Sequence, residues 1–268
     1  MKTNKKLGEI YLLPNLLTLT NVSFGFLSVL AVFDGNYSRA AFWIIMAAII
    51  DGIDGIIARA TGTQSDFGIH LDSLADCFSF GAVPTILLYF WGFRHADSSG
   101  SSFFFSFIFF IAAILRLARY NDLQKQKPDR RFYKGLTTPS ASLLIAAIVL
   151  NHPQPLNIKL HTFVLALIVI ALSSCMLSNI KYRNFLNFNF RYRIDILTAF
   201  LLAILLISIL IYPNISLLIY FSLNVLSGPS MHLYGLLKNR RRTTLSLRKK
   251  KVYRKSEEIV RDLMRSQK

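Results

Sequence analysis

The sequence predicts an all-α, polytopic membrane protein, a bundle of about eight transmembrane helices. Hydrophobic residues make up 53% of the chain, charged residues only 17%, and the mean hydropathy is +0.43, whereas an ordinary soluble domain is about a quarter charged. Apolar runs of about 20 residues recur along the chain, and a helix of that length crosses roughly 30 Å of hydrocarbon. The basic residues are also concentrated in alternate connecting segments.

Each predicted span is an apolar run that ends at charged residues or at a turn. Gly, Pro and Asn interrupt helices, and pairs such as Asp34-Gly35 and Pro213-Asn214 separate neighbouring runs. The fifth run is short for a span. The predicted spans are 12–33, 38–60, 67–93, 102–118, 137–151, 160–178, 194–212 and 215–236.

The distribution of Lys and Arg predicts the orientation of the chain. With the N-terminus in the cytoplasm, all but three of the 31 basic residues fall on the cytoplasmic side, the exceptions being Arg39, Arg94 and Lys159. Cytoplasmic segments of membrane proteins carry such an excess. We therefore expect an integral protein of the prokaryotic cytoplasmic (inner) membrane, with both termini on the cytoplasmic side.

The chain divides into a membrane domain, 1–236, and a basic cytoplasmic tail, 237–268. The tail holds 13 basic and three acidic residues, and the whole chain has a net charge of +17. In a soluble protein this charge would suggest nucleic acid. Directly after a span, the tail either contacts anionic lipid headgroups or only fixes the topology. We expect no nucleic-acid partner, and the sequence leaves a homodimer open.

Residues 51–76 place several carboxylates between two apolar runs, where burying an unpaired charge is costly. At about 100° per residue, Asp51 and Asp54 share one face near the cytoplasmic end of the second span. Asp72 and Asp76 share one face near the same end of the third span. Two antiparallel helices joined by a short turn would therefore present four carboxylates to one another.

Four carboxylates in one place repel one another unless cations lie between them. Oxygen ligands favour Mg²⁺, Mn²⁺ or Ca²⁺, and two such ions about 3.5–4 Å apart suit a displacement at phosphorus. Helix packing alone would explain any one of the neighbouring small residues, but it does not explain four aspartates on facing surfaces. The small residues, which leave room for a nucleotide, are Gly55, Ala58, Gly68 and Ala75.

This stretch resembles the complete signature of the CDP-alcohol phosphatidyltransferases. The matching residues are Asp51-x-x-Asp54-Gly55-x-x-Ala58-Arg59, then eight residues, Gly68, three residues, Asp72, three residues and Asp76. The resemblance extends over roughly the first half of the chain. The segments PNLLTLTN (14–21), LDSLADCFSFGAVP (71–84), LRLARYN (115–121) and YKGLTTP (133–139) look like the phosphatidylserine synthase branch of that family.

The resemblance implies a six-helix core with its site at the cytoplasmic interface. It implies transfer of the phosphatidyl group from CDP-diacylglycerol to the hydroxyl of L-serine, giving phosphatidylserine and CMP by direct displacement. It also implies two divalent cations, Mg²⁺ or Mn²⁺, with Asp76 both as a ligand and as the general base. The implied metal ligands are Asp51, Asp54, Asp72 and Asp76. The implied CDP-diacylglycerol contacts are Gly55, Ala58, Arg59, Ser65, Gly68, Asn15 and Thr18.

Two further residue roles are expected outside the signature. Serine brings a carboxylate, which a guanidinium binds well, so we expect Arg119 to hold the acceptor carboxylate or a phosphate. Arg116 and Lys134 are further candidates for this role, although all three would also satisfy the positive-inside rule. Asp66 is not a signature position and is expected to be a helix N-cap or turn residue.

Other functions stay open at this point. The same chemistry could use glycerol phosphate, inositol phosphate or choline as acceptor, or an archaeal ether-lipid donor, because the signature does not read the hydrocarbon chains. A divalent-cation transporter would instead use intramembrane aspartates as its ion path. That function predicts carboxylates nearer the bilayer midplane, whereas residues 51–76 lie near the cytoplasmic ends of two spans.

Overall fold

A computed structural model describes residues 3–61, 65–94, 101–124, 132–183 and 211–231, together with Ser208 and Leu233. Most of the predicted span 194–212 and the whole tail 237–268 lie outside the described residues. The described chain is almost entirely helical, and several of its helices are long and apolar enough to cross a membrane. The prediction of an all-α membrane bundle is confirmed.

The elements follow one another as a series of helices with one small ribbon. The helices are α1 (Thr3–Phe33), α2 (Tyr37–Thr61), α3 (Asp66–Asp76), α4 (Val83–Leu87), α5 (Ser101–Gln124), α6 (Thr138–Asn151), α7 (Lys159–Leu177) and α8 (213–231). Two π-helical segments, Cys77–Ala82 and Leu88–Phe93, flank α4. The antiparallel strands β1 (Phe132–Lys134) and β2 (Lys181–Arg183) pair with Tyr133 opposite Tyr182, and the sequence did not predict them.

Within the described residues, five helices satisfy the length and hydropathy of a membrane span, and they correspond to predicted spans one to four and six. Their apolar parts are Asn15–Phe33, Tyr37–Ile57, Phe67–Phe93, Phe103–Asp122 and Lys159–Leu177. The fifth predicted span is the shorter helix α6, which has 14 residues, and α8 covers most of the eighth. Two helices continue beyond the predicted spans, since α1 begins at Thr3 and α5 continues to Gln124. An apolar run marks only the part of a helix that lies in hydrocarbon, and the helix itself continues beyond it.

The third long helix is continuous from α3 through α4, but its hydrogen-bond pattern is π-helical over Cys77–Ala82, just before Pro84. Proline has no N–H, so the Phe80 carbonyl loses the donor that an α-helix would supply four residues later. Ser142 of α6 donates its hydroxyl to that carbonyl at 2.6 Å. The carbonyl that lacks its α-helical donor therefore accepts a hydrogen bond that joins α6 to the third long helix.

One end of the bundle, which we call the closed end, contains the α1–α2 turn and the loop after α6. Gly35 has a positive φ of 71° in that turn, and Asn36 Oδ1 accepts from the backbone N–H of Arg39 at 3.0 Å. Trp91 Nε1 donates to the His152 carbonyl at 2.9 Å. The Trp91 carbonyl in turn accepts from the N–H of Leu156, also at 2.9 Å. Polar groups of this end are thus paired within the chain.

An apolar core lies between the closed end and the opposite end. Small residues of α2, among them Ala40 and Ala41, are fully buried and allow α1 and the third long helix to approach closely. Large apolar side chains on α1, α5 and α7 are exposed instead, as expected for surfaces that face lipid. The largest fully buried side chains are Trp91, Phe80, Phe93, Phe109, Ile44 and Leu87.

Candidate active site

Three of the four predicted metal ligands meet at the end opposite the closed end, which we call the site end. Asp51 of α2 and Asp72 and Asp76 of α3 each offer a carboxylate oxygen, and these oxygens lie within 4.8 Å of one another. Residues four apart share a helix face, so α3 presents both of its carboxylates to Asp51. Within the described residues, Asp76 Oδ1 is buried and has no hydrogen-bond partner. An all-oxygen donor set with an open position fits a hard divalent cation.

Asp54, the fourth predicted ligand, lies one turn further along α2 and outside that three-residue cluster. Its side chain is only 5% exposed, and its Oδ2 accepts a hydrogen bond from Thr18 Oγ1 of α1. Thr18, which the sequence placed against CDP-diacylglycerol, therefore orients a carboxylate. Metal ligation by Asp54 and substrate contact by Thr18 stay predictions.

Three predicted contacts of CDP-diacylglycerol converge at the start of α3. A Cβ placed on Gly68 would lie 3.1 Å from Ser65 Oγ and 3.5 Å from Asn15 Oδ1, so the missing side chain lets these two polar side chains approach the backbone of α3 closely. Ser65 Oγ also accepts from the N–H of Gly68 at 3.0 Å and is the N-cap of α3. The expectation for Asp66 is corrected, because Ser65 holds the capping position and Asp66 is the first helical residue.

The remaining signature positions lie at the end of α2. Gly55 is half-buried there. The side chains of Ala58 and Arg59 lie outside the described residues, so their predicted contacts with the CDP moiety remain predictions.

Arg116 of α5 is a buried cation beside the carboxylate cluster. Its side chain is 5% exposed, and it is one of the charged neighbours of Asp76, together with Asp51 and Asp72. Its Nη1 donates to Thr138 Oγ1 at 3.1 Å, and its guanidinium carbon lies 5.1 Å from the centre of the Tyr120 ring. A guanidinium over an aromatic face gains a cation–π interaction. The site end therefore includes a positioned positive charge among its acids.

Arg119 lies one turn further along α5 and binds backbone oxygens. It donates to the carbonyls of Leu177 at 2.7 Å, Ser178 at 3.0 Å, Met176 at 3.1 Å and Lys134 at 3.3 Å. The last carbonyls of a helix have no partner within it, and a basic side chain at this position satisfies them. The structure thus gives Arg119 a helix-capping role that the sequence did not predict. Acceptor binding by Arg119, and by the exposed Lys134, stays a prediction.

Gly135 allows the segment after β1 to pass close to the end of α7. Its φ is +78°, and a Cβ at this position would overlap the Met176 carbonyl oxygen and lie 2.8 Å from Arg119 Nη2. The N–H of the next residue, Leu136, donates to the Cys175 carbonyl at 3.0 Å. A glycine is therefore required both by the backbone conformation and by the available space.

Reasoning from the sequence missed two polar contacts that position α5 beside the cluster. Asn121 Nδ2 donates to Ser73 Oγ at 3.0 Å, and Ser73 directly follows Asp72. Thr138, the partner of Arg116, begins α6. Asn121 and Thr138 both lie in segments that carry the family resemblance, but spacing along the chain does not reveal which residue each one contacts.

Comparison with known proteins agrees with this geometry. The chain matches the family model for CDP-alcohol phosphatidyltransferase over residues 11–177. It is 30% identical to the CDP-diacylglycerol–serine O-phosphatidyltransferase of Helicobacter pylori (strain ATCC 700392 / 26695) over 234 residues, covering 87% of this chain and 95% of the relative.

Two archaeal relatives extend the comparison. The archaetidylserine synthase of Methanothermobacter thermautotrophicus is 33% identical over 184 residues, 68% of this chain and 74% of the relative. The CDP-diacylglycerol–serine O-phosphatidyltransferase of Methanocaldococcus jannaschii is 33% identical over 184 residues, 69% of this chain and 80% of the relative. The matched region includes every residue of the carboxylate cluster, and the chain belongs to the CDP-alcohol phosphatidyltransferase family.

Proposed function

We propose that this protein transfers the phosphatidyl group of CDP-diacylglycerol to the hydroxyl of L-serine, giving phosphatidylserine and CMP. The observation that carries the proposal is the convergence of Asp51, Asp72 and Asp76 in a chain of this family. The names of its bacterial and archaeal relatives, which all refer to a serine transferase or an archaetidylserine synthase, support serine as the acceptor.

The carboxylate cluster would hold one or two divalent cations, Mg²⁺ or Mn²⁺. Asp51, Asp72 and Asp76 would bind the first, and Asp54 would contribute to the pair from its position one turn away. When bound, such cations neutralise charge on the pyrophosphate and on the departing phosphate. The oxygen-only donor set and the unpaired Asp76 Oδ1 support this assignment.

Asp76 would act as the general base. A serine hydroxyl is a weak nucleophile until its proton is removed, and a positioned carboxylate can take that proton as the new bond forms. The serine oxygen then bonds to the phosphorus that carries the diacylglycerol. The bond from that phosphorus to the bridging oxygen breaks, and CMP leaves with the bridging oxygen. The proton remains on Asp76 until it passes to solvent.

The substrate groups would bind on two sides of the cluster. The polar side chains of Ser65 and Asn15, which lie close to Gly68, would contact the CDP moiety, with Gly55 on α2 leaving room beside it. Of the three basic residues proposed for the acceptor, Arg116 is the best placed, because it is a charged neighbour of Asp76. Arg116 would therefore bind the serine carboxylate while the hydroxyl lies at Asp76.

The location of the protein follows from the helices and the charge distribution. Five helices in the described part of the chain can cross a membrane, and we propose the prokaryotic cytoplasmic membrane with both termini and the site on the cytoplasmic side. CDP-diacylglycerol, itself a lipid, would then reach the site from the cytoplasmic leaflet. The basic tail 237–268 would lie near anionic headgroups of that leaflet.

CMP release in detergent micelles tests the function. With CDP-diacylglycerol and Mg²⁺ or Mn²⁺, we expect release that requires L-serine. Glycerol 3-phosphate, inositol phosphate and choline, tested separately, should not replace serine. Release with one of these acceptors and not with serine would assign another member of the same enzyme class, whereas metal flux into proteoliposomes without release would assign a transporter.

An ether-lipid donor is a second candidate, supported by the archaeal relative named archaetidylserine synthase. The same assay with CDP-archaeol in place of CDP-diacylglycerol separates the two donors by their kcat/KM values. A higher kcat/KM for CDP-archaeol than for CDP-diacylglycerol would identify the ether lipid as the donor, with serine still the acceptor.

The proposed role of Arg116 has its own test. Arg116→Lys keeps the charge but loses the forked geometry that matches a carboxylate, so the KM for serine should rise about tenfold, which corresponds to roughly 1.4 kcal/mol. The KM for CDP-diacylglycerol should stay unchanged. A rise confined to the lipid substrate would move Arg116 to the CDP-diacylglycerol side of the site.

A further inference from the structure

Asn21 of α1 is a fully buried amide whose hydrogen-bonding capacity is unused. Its side chain is 0% exposed, and within the described residues neither its Nδ2 nor its Oδ1 has a partner. Buried polar groups are nearly always paired, and leaving one unpaired costs about 1–3 kcal/mol. An amide in this state points to a ligand that supplies a donor for its Oδ1 or an acceptor for its Nδ2.

The position of Asn21 places it at the border of the candidate active site. It follows Thr18 by three residues and therefore shares its helix face, and Thr18 donates to Asp54. The backbone carbonyl of Asn21 accepts from Ser79 Oγ at 3.3 Å, and Ser79 follows Asp76 by three residues. Asn21 thus lies on α1, one turn further from the N-terminus than Thr18, and faces the part of the third long helix that carries Asp76.

A second unpaired group on the facing helix indicates which chemistry would fit. Asp76 Oδ1 is also buried without a partner in the described chain. An amide oxygen and a carboxylate oxygen both accept hydrogen bonds, and an ammonium group offers three donors. The apolar part of α1, Asn15–Phe33, contains no Lys or Arg. Arg116 approaches the cluster from a different helix, α5. The α1 side therefore favours a positive group and the α5 side a negative one.

We propose that Asn21 binds the α-ammonium group of the amino-acid acceptor and so selects serine over acceptors that lack an amine. The proposal rests on the proposed function. It assigns the three polar groups of serine to three elements of the fold: the ammonium to Asn21 on α1, the hydroxyl to Asp76 on α3, and the carboxylate to Arg116 on α5.

The test is Asn21→Leu, which keeps a similar volume and removes both hydrogen-bonding groups. The KM for serine should rise about tenfold, with kcat and the KM for CDP-diacylglycerol little changed. The melting temperature without substrate should stay equal or rise, because an unpaired amide has been removed. A lower melting temperature with an unchanged KM for serine would show a structural residue and overturn the proposal.

Ser173→Ala is the matched control. Ser173 lies on α7, is 4% exposed and has an unpaired hydroxyl among the described residues. The substitution removes an unpaired buried group on α7, a helix that carries none of the proposed site residues, so it should leave the KM for serine unchanged. If Asn21→Leu does not fold, Asn21→Ala makes the same test without added bulk at the branch point, and it should raise the KM for serine to a similar extent.

The serine analogue 3-hydroxypropionate, which lacks the ammonium group, tests whether Asn21 binds that group. Its inhibition constant against serine should be the same for the wild type and Asn21→Leu. An inhibition constant that rises as much as the KM for serine would overturn the assignment to the ammonium. If the wild type releases no CMP with serine, the proposed function fails. If it does and Asn21→Leu keeps its KM, this inference alone fails.

Discussion

The two ends of the bundle differ in how their buried polar groups are paired. At the closed end, Trp91 donates to His152 and accepts from Leu156, so one residue joins two segments through satisfied hydrogen bonds. At the site end, the Asn21 amide and Asp76 Oδ1 are buried without partners in the described chain. Since unpaired buried groups destabilise a fold, the difference indicates that the site end is completed by what binds there.

Removing divalent cations should produce the largest difference between the two ends. With EDTA, CMP release should fall to background and return on addition of Mg²⁺ or Mn²⁺, because the clustered carboxylates repel one another without a cation. Binding should also raise the free energy of unfolding, by about 2.7 kcal/mol when the metal is at 100 times its Kd, measured by thermal denaturation. Asp72→Asn should abolish this stabilisation. An equal stabilisation of that variant by the metal would place the ion elsewhere.

Asp76→Asn should reduce CMP release by about 10²–10⁴-fold, the usual contribution of a general base. The melting temperature of the metal-free protein should not fall, since the substitution removes one of three neighbouring carboxylate charges that repel one another. Asp34→Asn is the control, because Asp34 is exposed in the closed-end turn and undergoes the same chemical change. Normal turnover by Asp76→Asn would eliminate Asp76 as the base.

Gly135→Ala should reduce the free energy of unfolding more than Gly35→Ala. Both residues have a positive φ, which costs an alanine about 1–2 kcal/mol. Only at Gly135 would the new Cβ also meet neighbouring atoms, whereas at Gly35 it would meet nothing within 4 Å. The difference between the two variants, measured by chemical denaturation, isolates the cost of the overlap. Equal losses would show that the loop after β1 can move away.

Trp91→Phe should have the smallest effect. It removes the hydrogen bond to the His152 carbonyl and should cost about 1 kcal/mol of unfolding free energy, with kcat and both KM values unchanged. Trp43→Phe is the matched control, because its ring stacks on Phe24 at 5.3 Å between centroids and the stacking survives the change. A change in the KM for serine in Trp91→Phe would show that the two ends are coupled.

Helical periodicity was sufficient to predict that carboxylates of α2 and α3 come together. Asp51, Asp72 and Asp76 come together because two helices joined by a short segment must run antiparallel, and residues four apart must share a face. Periodicity could not predict that Asp54 binds Thr18. That contact depends on how α1 packs against α2, and the sequence pattern within α2 does not indicate this packing.

Other features depend on contacts between segments that are distant in sequence. Arg119 caps the end of α7, 57 to 59 residues away. From the sequence alone, a basic residue at this position predicts a ligand contact as readily as a helix cap. The strands β1 and β2 are three residues each, too short to show an alternating pattern. Ser65 and Asp66 are both good capping residues, and only the backbone conformation shows that Ser65 is the cap.

The contact between Ser142 and the Phe80 carbonyl has a mechanical consequence for the active site. Ser142 lies four residues after Thr138, the partner of Arg116, and Phe80 lies four residues after Asp76. One helical turn of the third long helix and one of α6, each about 6 Å long, therefore separate the Phe80–Ser142 hydrogen bond from the pair Asp76 and Arg116. The third long helix, α6 and α5 are therefore joined to one another by a closed set of contacts. A rotation of either helical turn would change the distance between Asp76 and Arg116, where we propose that the acceptor binds. The Ser142 hydroxyl, which is not a proposed acceptor contact, therefore influences that distance.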